Sequence, residues 1–351
     1  MRNSQLTFAR QYRGMNQSNL AKQIPGLSQS NLSKYEKGIG TLSDDVLFRI
    51  MDTLNFPIGF LDLKIKNNVE YRHYRKKASI GSMDRDKIDR FISVVAYCFD
   101  WMSDFIELPS FQFKYIDLER GATPEEVASI VRRQFKLGVA PIENICNFLE
   151  RNGIFVYFWD CEYEDFDGVS LITDKGNHLI IVNRNQPNDR IRFSLAHELG
   201  HSLMHLCCDI VVLEVRDTEK EAHKFAAEFL MPSQGIKGSL LNVKFSQLPI
   251  LKSYWLTSMA SIMYRAKALQ QINDVKYIQL RNELSRRSWL KKEPYDVFID
   301  EPSVISKSYD LITTALGYSI NDIAKSLLLP IDIIEEVFRI NRKIFTLKRV
   351  V

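Results

Sequence analysis

The segment His197–Glu198–Leu199–Gly200–His201 constrains the fold more than any other feature of the chain. Its two histidines are four residues apart, so an α-helix would place both imidazoles on one face, one turn apart. Apolar residues surround the motif on both sides, and polar groups buried among them need partners because unpaired buried polar groups are costly. The sequence therefore predicts a buried helix that begins near residue 190 and carries both histidines on its inner face.

Two imidazole nitrogens on one rigid helix are typical ligands of a single Zn²⁺. Glu198 lies beside His197, where its carboxylate would reach a water at the metal instead of the metal itself. A carboxylate in that place can take a proton from the water and later pass it to a leaving amine. The motif therefore indicates a zinc-dependent hydrolytic site, and a metallopeptidase above other hydrolases, with Glu198 as the base.

A catalytic zinc ion usually takes three protein ligands and keeps one position for water. A second helix, predicted at about 217–230, offers Glu219 and Glu221. Small or apolar residues at 222, 226 and 229 mark its inner face, and Glu219 lies on that stripe whereas Glu221 is rotated away from it. We expect Glu219 to be the third ligand, with Glu221 as the alternative.

Three further residues are candidates for supporting the ligands without touching the metal. His205 continues the stripe of the first helix, His223 follows Glu219 by one turn, and Glu221 is the carboxylate rotated away from the inner face of the second helix. Such residues commonly orient a metal ligand by a hydrogen bond. For both histidines the competing interpretation is plain packing, in the core or on the helix surface.

Several separated motifs of this region occur in the order typical of one family. They are Phe166–Ser170, Ile181–Asn183, Arg192–His205 and Glu219–Pro232. Together they resemble the ImmA/IrrE family of metallopeptidases over about residues 165–235. The resemblance implies a gluzincin-like Zn²⁺ site with His197, His201 and Glu219 as ligands and Glu198 as base. It also implies a protein substrate, because the family members that are understood cleave a repressor and so relieve repression.

The first 64 residues show a different pattern, in which short amphipathic stretches alternate with glycine and proline breakers. Within residues 16–38, Ala21 would allow two helices to cross closely, Gly26 would allow the turn, and Ser28 would cap the second helix. The exposed positions predicted on that second helix suit base edges and phosphates in a major groove. They are Gln29, Ser30, Ser33 and Lys34.

Residues 5–64 resemble the XRE (Cro/C1-type) repressor family, which implies double-stranded DNA as a partner. By this resemblance Gln17 would meet a phosphate, Gln29 and Ser30 would read bases, and Lys34 would contact a phosphate or a base. Ser28 and Ser33 complete the expected DNA-binding set. The turn departs from the pattern by one extra residue, Pro25, which would tilt the recognition helix. Charge agrees with a polyanion partner, since residues 1–80 hold 13 Lys/Arg against 6 Asp/Glu. The competing interpretation is a small helical protein-interaction bundle.

The order of predicted elements indicates an α+β protein that is predominantly helical. We predict an all-α helix-turn-helix domain at 1–66, a basic linker at 67–84, a zincin-like metallopeptidase domain with a small sheet at 85–240, and a helical C-terminal domain at 241–351. The strands are expected at 154–159, 168–173 and 178–183. We also expect an extended substrate to bind along the edge of the strand that begins at His178.

The N-terminus lacks the apolar stretch of a signal peptide, no apolar run reaches membrane-spanning length, and the five cysteines form no CxxC pair, so we expect a cytoplasmic protein without a membrane partner. The head would place the peptidase at an operator or support a homodimer. The alternative is a DNA-binding regulator whose metallo-domain senses a ligand or serves as a scaffold without proteolysis; a toxin–antitoxin component is a third class. For the C-terminal third, we favour a structural or partner-binding role over a second DNA-binding unit.

Overall fold

The computed structural model describes residues 2–65, 80–206, 216–290 and 292–339. Most of the predicted linker, 67–79, and the last residues, 340–351, lie outside the described residues. The described chain is predominantly helical and contains one small three-stranded sheet, so the predicted α+β class with a helical head and a helical C-terminus is confirmed.

The head consists of four α-helices and a closing 3-10 helix. They are α1 (Arg2–Tyr12), α2 (Gln17–Gln23), α3 (Gln29–Glu36), α4 (Asp44–Thr53) and the 3-10 helix Ile58–Asp62. Polar side chains begin three of them: Asn16, Ser28 and Ser43 each accept a hydrogen bond from a backbone N–H of the first turn. Ser28 thus caps α3 as predicted. Gly26 adopts a φ of +80° in the turn between α2 and α3, a conformation that favours glycine.

Three helices connect the head to the sheet: α5 (Ser82–Met102), α6 (Pro124–Gln134) and α7 (Ile145–Arg151). A capping box begins α6, because the side chain of Thr123 accepts from the backbone of Glu126 and the Glu126 carboxylate accepts from the backbone of Thr123. The sequence predicts the first and last of these helices as longer, at 85–107 and 141–152. In the structure α5 ends at Met102 and α7 begins at Ile145, so residues 103–107 and 141–144 lie outside the helices.

The sheet contains β1 (Ile154–Trp159), β2 (Gly168–Ile172) and β3 (His178–Asn183) in the order β1-β3-β2. β3 pairs with β1 in parallel and with β2 in antiparallel fashion, and Ser170 lies opposite Ile180. Because β3 is the central strand, its backbone is paired on both sides and offers no free edge. The expectation that substrate binds along the β3 edge is therefore wrong. The edge strands of this sheet are β1 and β2, and β2 contacts the helix of the histidine motif through Ser170 and Glu198.

The helix α8 (Asn188–Met204), which carries the histidine motif, packs against β2 and β3, and α9 (Thr218–Leu230) packs against α8. Gly200 of α8 faces Phe225 of α9, and a Cβ atom at position 200 would lie 3.0 Å from the Phe225 ring. Ala222 and Ala226 of α9 are fully buried at the same contact. Small residues on both helices thus allow α9 to bring its first turn against the histidines.

The C-terminal helices divide between two apolar cores. They are α10 (Ser233–Leu240), α11 (Leu248–Trp255), α12 (Met259–Ala268), α13 (Asp274–Arg286), α14 (Val304–Ala315), α15 (Ile320–Leu327) and α16 (Ile331–Phe338). The helices α10–α13 contribute to the core that contains α8 and α9, whereas α14–α16 contribute to the core that contains the head.

The last helix contacts the head directly. Arg13 of α1 forms an ion pair with Asp332 at 2.6 Å, and the Tyr12 hydroxyl donates to Glu336 at 3.3 Å. The same tyrosine packs edge-on against Phe56. The C-terminal segment therefore has a structural role in joining the head to the sheet-containing part of the molecule.

No helix among the described residues is long and apolar enough to cross a membrane.

Candidate functional site

The histidine motif lies in the second half of α8 and is buried on the face that meets α9. His197 and His201 project from successive turns, and their Nε2 atoms are 3.0 Å apart. This spacing follows from the four-residue separation on a helix, which brings side chains at i and i+4 together. The two rings meet edge to face, with centroids 4.7 Å apart.

Glu219 reaches the two histidines from the first turn of α9. Its Oε1 lies 3.4 Å from His201 Nε2, and its Oε2 lies 3.5 Å from His197 Nε2. One ligand atom from each of the three residues lies within 4.8 Å of the other two, and no other such group of three occurs in the part of the chain that the structure describes. Of the two carboxylates proposed from the sequence, the structure brings Glu219 and not Glu221 to the histidine pair.

The donor set fits a divalent cation such as Zn²⁺. Two imidazole nitrogens and a carboxylate converge on one point, which is the ligand chemistry of catalytic zinc sites. Glu219 Oε2 is buried and has no hydrogen-bond partner, although a buried carboxylate oxygen is costly to leave unpaired. Burial would raise the pKa of Glu219, but the rings of His197 and His201, whose Nε2 atoms lie 3.4–3.5 Å from its oxygens, outweigh burial and hold the pKa well below its usual value. An ionised carboxylate facing two histidines is suited to a positive charge.

Glu198 is buried on the side of α8 that faces β2. Its Oε2 accepts a hydrogen bond from the Ser170 hydroxyl at 2.8 Å, and the Ser170 backbone N–H also contributes. Burial raises the pKa of Glu198 to about 7, although the neighbouring His197 and the two Ser170 donors oppose the rise. A carboxyl group with this pKa can both accept and release a proton near neutral pH.

His205 and Glu221 lie behind the histidine pair. The Nδ1 atoms of His201 and His205 are 2.9 Å apart, and His205 Nε2 is 2.9 Å from Glu221 Oε2. The Arg216 guanidinium in turn holds both oxygens of Glu221, at 2.9 and 2.7 Å. Glu221, the alternative third ligand, therefore contacts His205, which in turn contacts the candidate ligand His201.

His223 lies on the outer rim of the same site and is partly exposed. Its ring centroid is 4.8 Å from that of His197 and 5.3 Å from that of Phe193. It thus lies beside His197 and Phe193 of α8.

The helix-turn-helix face of the head shows a polar network at the start of α2 and α3. Gln17 donates to Glu36 at 2.7 Å and accepts from the side chain of Gln29 at 2.9 Å. A nearly buried ion pair with Arg10 at 2.6 Å holds Glu36 in place. The two glutamines proposed as DNA contacts are therefore positioned by each other and by the core of the head.

The other residues proposed for DNA contact differ in exposure. Ser30 and Lys34 project from α3 into solvent, whereas Ser33 is partly buried and is less accessible than the sequence predicts. The extra residue Pro25 lies in the turn, where its carbonyl accepts a hydrogen bond from Arg49 of α4 at 3.1 Å. This contact ties the longer turn to the body of the head.

The family comparisons agree with both halves of this description. Residues 8–61 match the helix-turn-helix family model, and residues 149–267 match the peptidase M78 model, described as the IrrE N-terminal-like domain. The chain joins an XRE-type helix-turn-helix domain to an ImmA/IrrE-like domain. No curated protein matches it. The head of the protein is thus DNA-binding, and the IrrE-like domain has a metallopeptidase-like fold, as expected of a transcription regulator with a peptidase-like domain.

The match to the IrrE-like domain begins in α7 and ends in α12, so it includes the sheet, α8 and α9 together with the first helices beyond residue 240. Three residues of this domain gained their importance only from the structure: Ser170, which holds Glu198; Gly200, which admits α9; and Arg216, which holds Glu221. A serine inside an otherwise apolar strand and a glycine inside a helix are the signals that could have indicated the first two.

Proposed function

We propose that the protein is a DNA-binding zinc metallo-endopeptidase that cleaves a repressor-type protein regulator and so controls transcription. One observation carries the proposal: His197, His201 and Glu219 converge on one point, with the buried carboxylate of Glu198 on the adjacent position of the same helix. A purely structural metal site needs the ligands but has no use for a carboxylate of raised pKa beside them.

His197, His201 and Glu219 would hold the Zn²⁺ ion. The bound ion would supply a Lewis acid that polarises the scissile carbonyl and lowers the pKa of water. Because α8 and α9 are packed closely through Gly200 and Phe225, the positions of these three side chains are set by the core.

Glu198 would carry the proton during peptide hydrolysis. Its carboxylate accepts a proton from the attacking water, whose oxygen bonds to the carbonyl carbon. When the C–N bond breaks, the same proton passes to the leaving nitrogen, so Glu198 ends as it began. The Ser170 hydroxyl and backbone N–H orient the carboxylate for both transfers.

The substrate would bind in extended form along β2. This strand pairs with β3 on one side only, and its Ser170 contacts the proposed base, so a peptide on its free side would lie beside α8. The head would place the enzyme at an operator or support a homodimer, near the regulator that it cleaves.

A second candidate function is a DNA-binding regulator whose metallo-domain binds a metal or ligand without cutting. The contact of Ser170 with Glu198 would equally hold β2 against α8 in a domain that does not cut. The two functions share the metal ligands and differ in whether Glu198 is needed.

The experiment is replacement of Glu198 with glutamine in the full-length chain. We expect the Glu198→Gln variant to bind zinc and duplex DNA as the unaltered chain does, and to lose cleavage of host regulators, which is measured by mass spectrometry of new protein N-termini in producing cells. The matched control is Glu107→Gln, the same change at an exposed position. If the new N-termini and the transcriptional output persist in the Glu198 variant, the peptidase proposal is wrong and the non-cutting regulator is supported.

A further inference from the structure

A continuous chain of hydrogen bonds leads from His201 away from the proposed zinc position. It runs from His201 to His205, then to Glu221 and finally to Arg216. The first contact joins two nitrogen atoms and the other two join a nitrogen and an oxygen atom, all at 2.7–2.9 Å. The side chains of the two histidines are almost wholly buried, with 1% and 0% exposed. Water therefore does not compete for the contact between the two histidines.

We infer that Glu221, acting through His205, fixes the ring tautomer of His201 and so positions it as a metal ligand. The inference rests on the zinc site of the proposed function. His201 Nε2 faces His197 and Glu219, so this nitrogen must offer its lone pair to a metal and cannot carry the ring proton. The proton of His201 is therefore on Nδ1.

The remaining protons follow from this one. His205 Nδ1 is 2.9 Å from His201 Nδ1 and must accept its proton, because two N–H groups cannot face each other at that distance. The proton of neutral His205 is then on Nε2, where it is donated to Glu221 Oε2. A carboxylate at the end of the chain is an acceptor only and thus stabilises this single arrangement.

Arg216 keeps that acceptor in place. Its Nε and one terminal nitrogen contact the two oxygens of Glu221, a bidentate geometry, while its other terminal nitrogen contacts Glu119 at 3.1 Å. In many metal sites a carboxylate receives the second N–H of a ligating histidine directly. Here the His205 ring transmits the same effect from a carboxylate one ring further away.

This arrangement predicts how zinc affinity depends on Glu221. Outer partners of metal-ligating histidines commonly change metal affinity by about 10–100-fold when they are removed. We expect a Glu221→Ala variant to bind zinc about 10–100-fold more weakly, since it loses the acceptor. A Glu221→Gln variant keeps an oxygen that can accept from His205 and should recover most of that loss.

The test measures zinc affinity of the full-length chain by competition with a chromophoric chelator, and it compares both Glu221 variants with Glu119→Gln. Glu119 is the matched control, because it also pairs with Arg216 but touches neither histidine. We expect Glu119→Gln to stay within about twofold of the unaltered chain. Circular dichroism of the metal-free proteins checks that each variant is folded.

Three results would overturn the inference. The first is unchanged affinity in Glu221→Ala, the second is an equal loss in Glu119→Gln, and the third is a protonated Nδ1 on His205 in the ¹⁵N-histidine spectrum of the zinc-loaded chain. Failure of the proposed function looks different. If the chain binds zinc and Glu221→Ala weakens the binding while no regulator is cleaved, the inference stands and proteolysis is wrong.

Discussion

Replacing Gly200 with alanine should loosen the contact that brings Glu219 to the histidines. The new methyl carbon would lie 3.0, 3.2 and 3.3 Å from three carbons of Phe225, where ordinary contacts are about 3.5–4.0 Å. Phe225 is fully buried and stacks on Phe229 with ring centroids 5.5 Å apart, so its ring cannot move aside freely. The strain must then be relieved by a shift of α9 relative to α8.

The size of the effect follows from two opposing contributions. Alanine in place of glycine favours a helix by about 1 kcal/mol, whereas overpacking a tight core costs about 1–3 kcal/mol. We expect the free energy of unfolding of Gly200→Ala to fall by up to about 2 kcal/mol, and its zinc affinity to fall because Glu219 moves with α9. The matched control is Gly238→Ala in α10, where a Cβ atom meets nothing within 4 Å. This control should gain about 1 kcal/mol.

The assay is urea unfolding of the metal-free proteins followed by circular dichroism, together with chelator competition for zinc. A Gly200→Ala variant as stable as Gly238→Ala, with unchanged zinc affinity, would refute the argument that close approach of α8 and α9 positions the site.

Three further outcomes are expected. Arg265→Met should lower the free energy of unfolding by about 3 kcal/mol, because it removes the guanidinium that pairs with the buried Glu228 carboxylate. In urea unfolding, the double variant with Glu228→Gln should regain part of this loss. Burial lowers the pKa of His178 to about 4, below its value of about 6.5 in the unfolded chain. The unfolded chain therefore binds a proton more readily than the folded one, and the free energy of unfolding falls as the pH falls from about 6.5 to 4. Between pH 7 and pH 5, His178→Gln should lose less of its free energy of unfolding than the unaltered chain. Lys34→Ala should weaken the binding of duplex DNA of any sequence and reduce the slope of log affinity against log salt concentration by about one. Fluorescence anisotropy measures both quantities, and an unchanged slope would place Lys34 away from the phosphates.

Features that depend on neighbours along the chain could be predicted from the amino-acid sequence. Helix caps such as Ser28 and the Thr123–Glu126 capping box could be predicted because a cap joins residues only three positions apart. The histidine pair was readable for the same reason, since the helical repeat alone places residues four apart together. Even the choice of Glu219 followed from the apolar stripe of one helix.

Features that depend on residues far apart in the sequence could not be predicted in this way, because they arise from tertiary packing. The order β1-β3-β2 made β3 central, because a strand's partners are chosen by packing and crossover connections and not by its own alternation of residues. The contact of Ser170 with Glu198 joins residues 28 apart, and that of Glu221 with His205 joins residues 16 apart. The ion pair of Arg13 with Asp332 spans almost the whole chain. Local sequence patterns therefore predict the metal ligands. The residues that contact Glu198, His205 and the head come from distant parts of the chain and are brought there by packing.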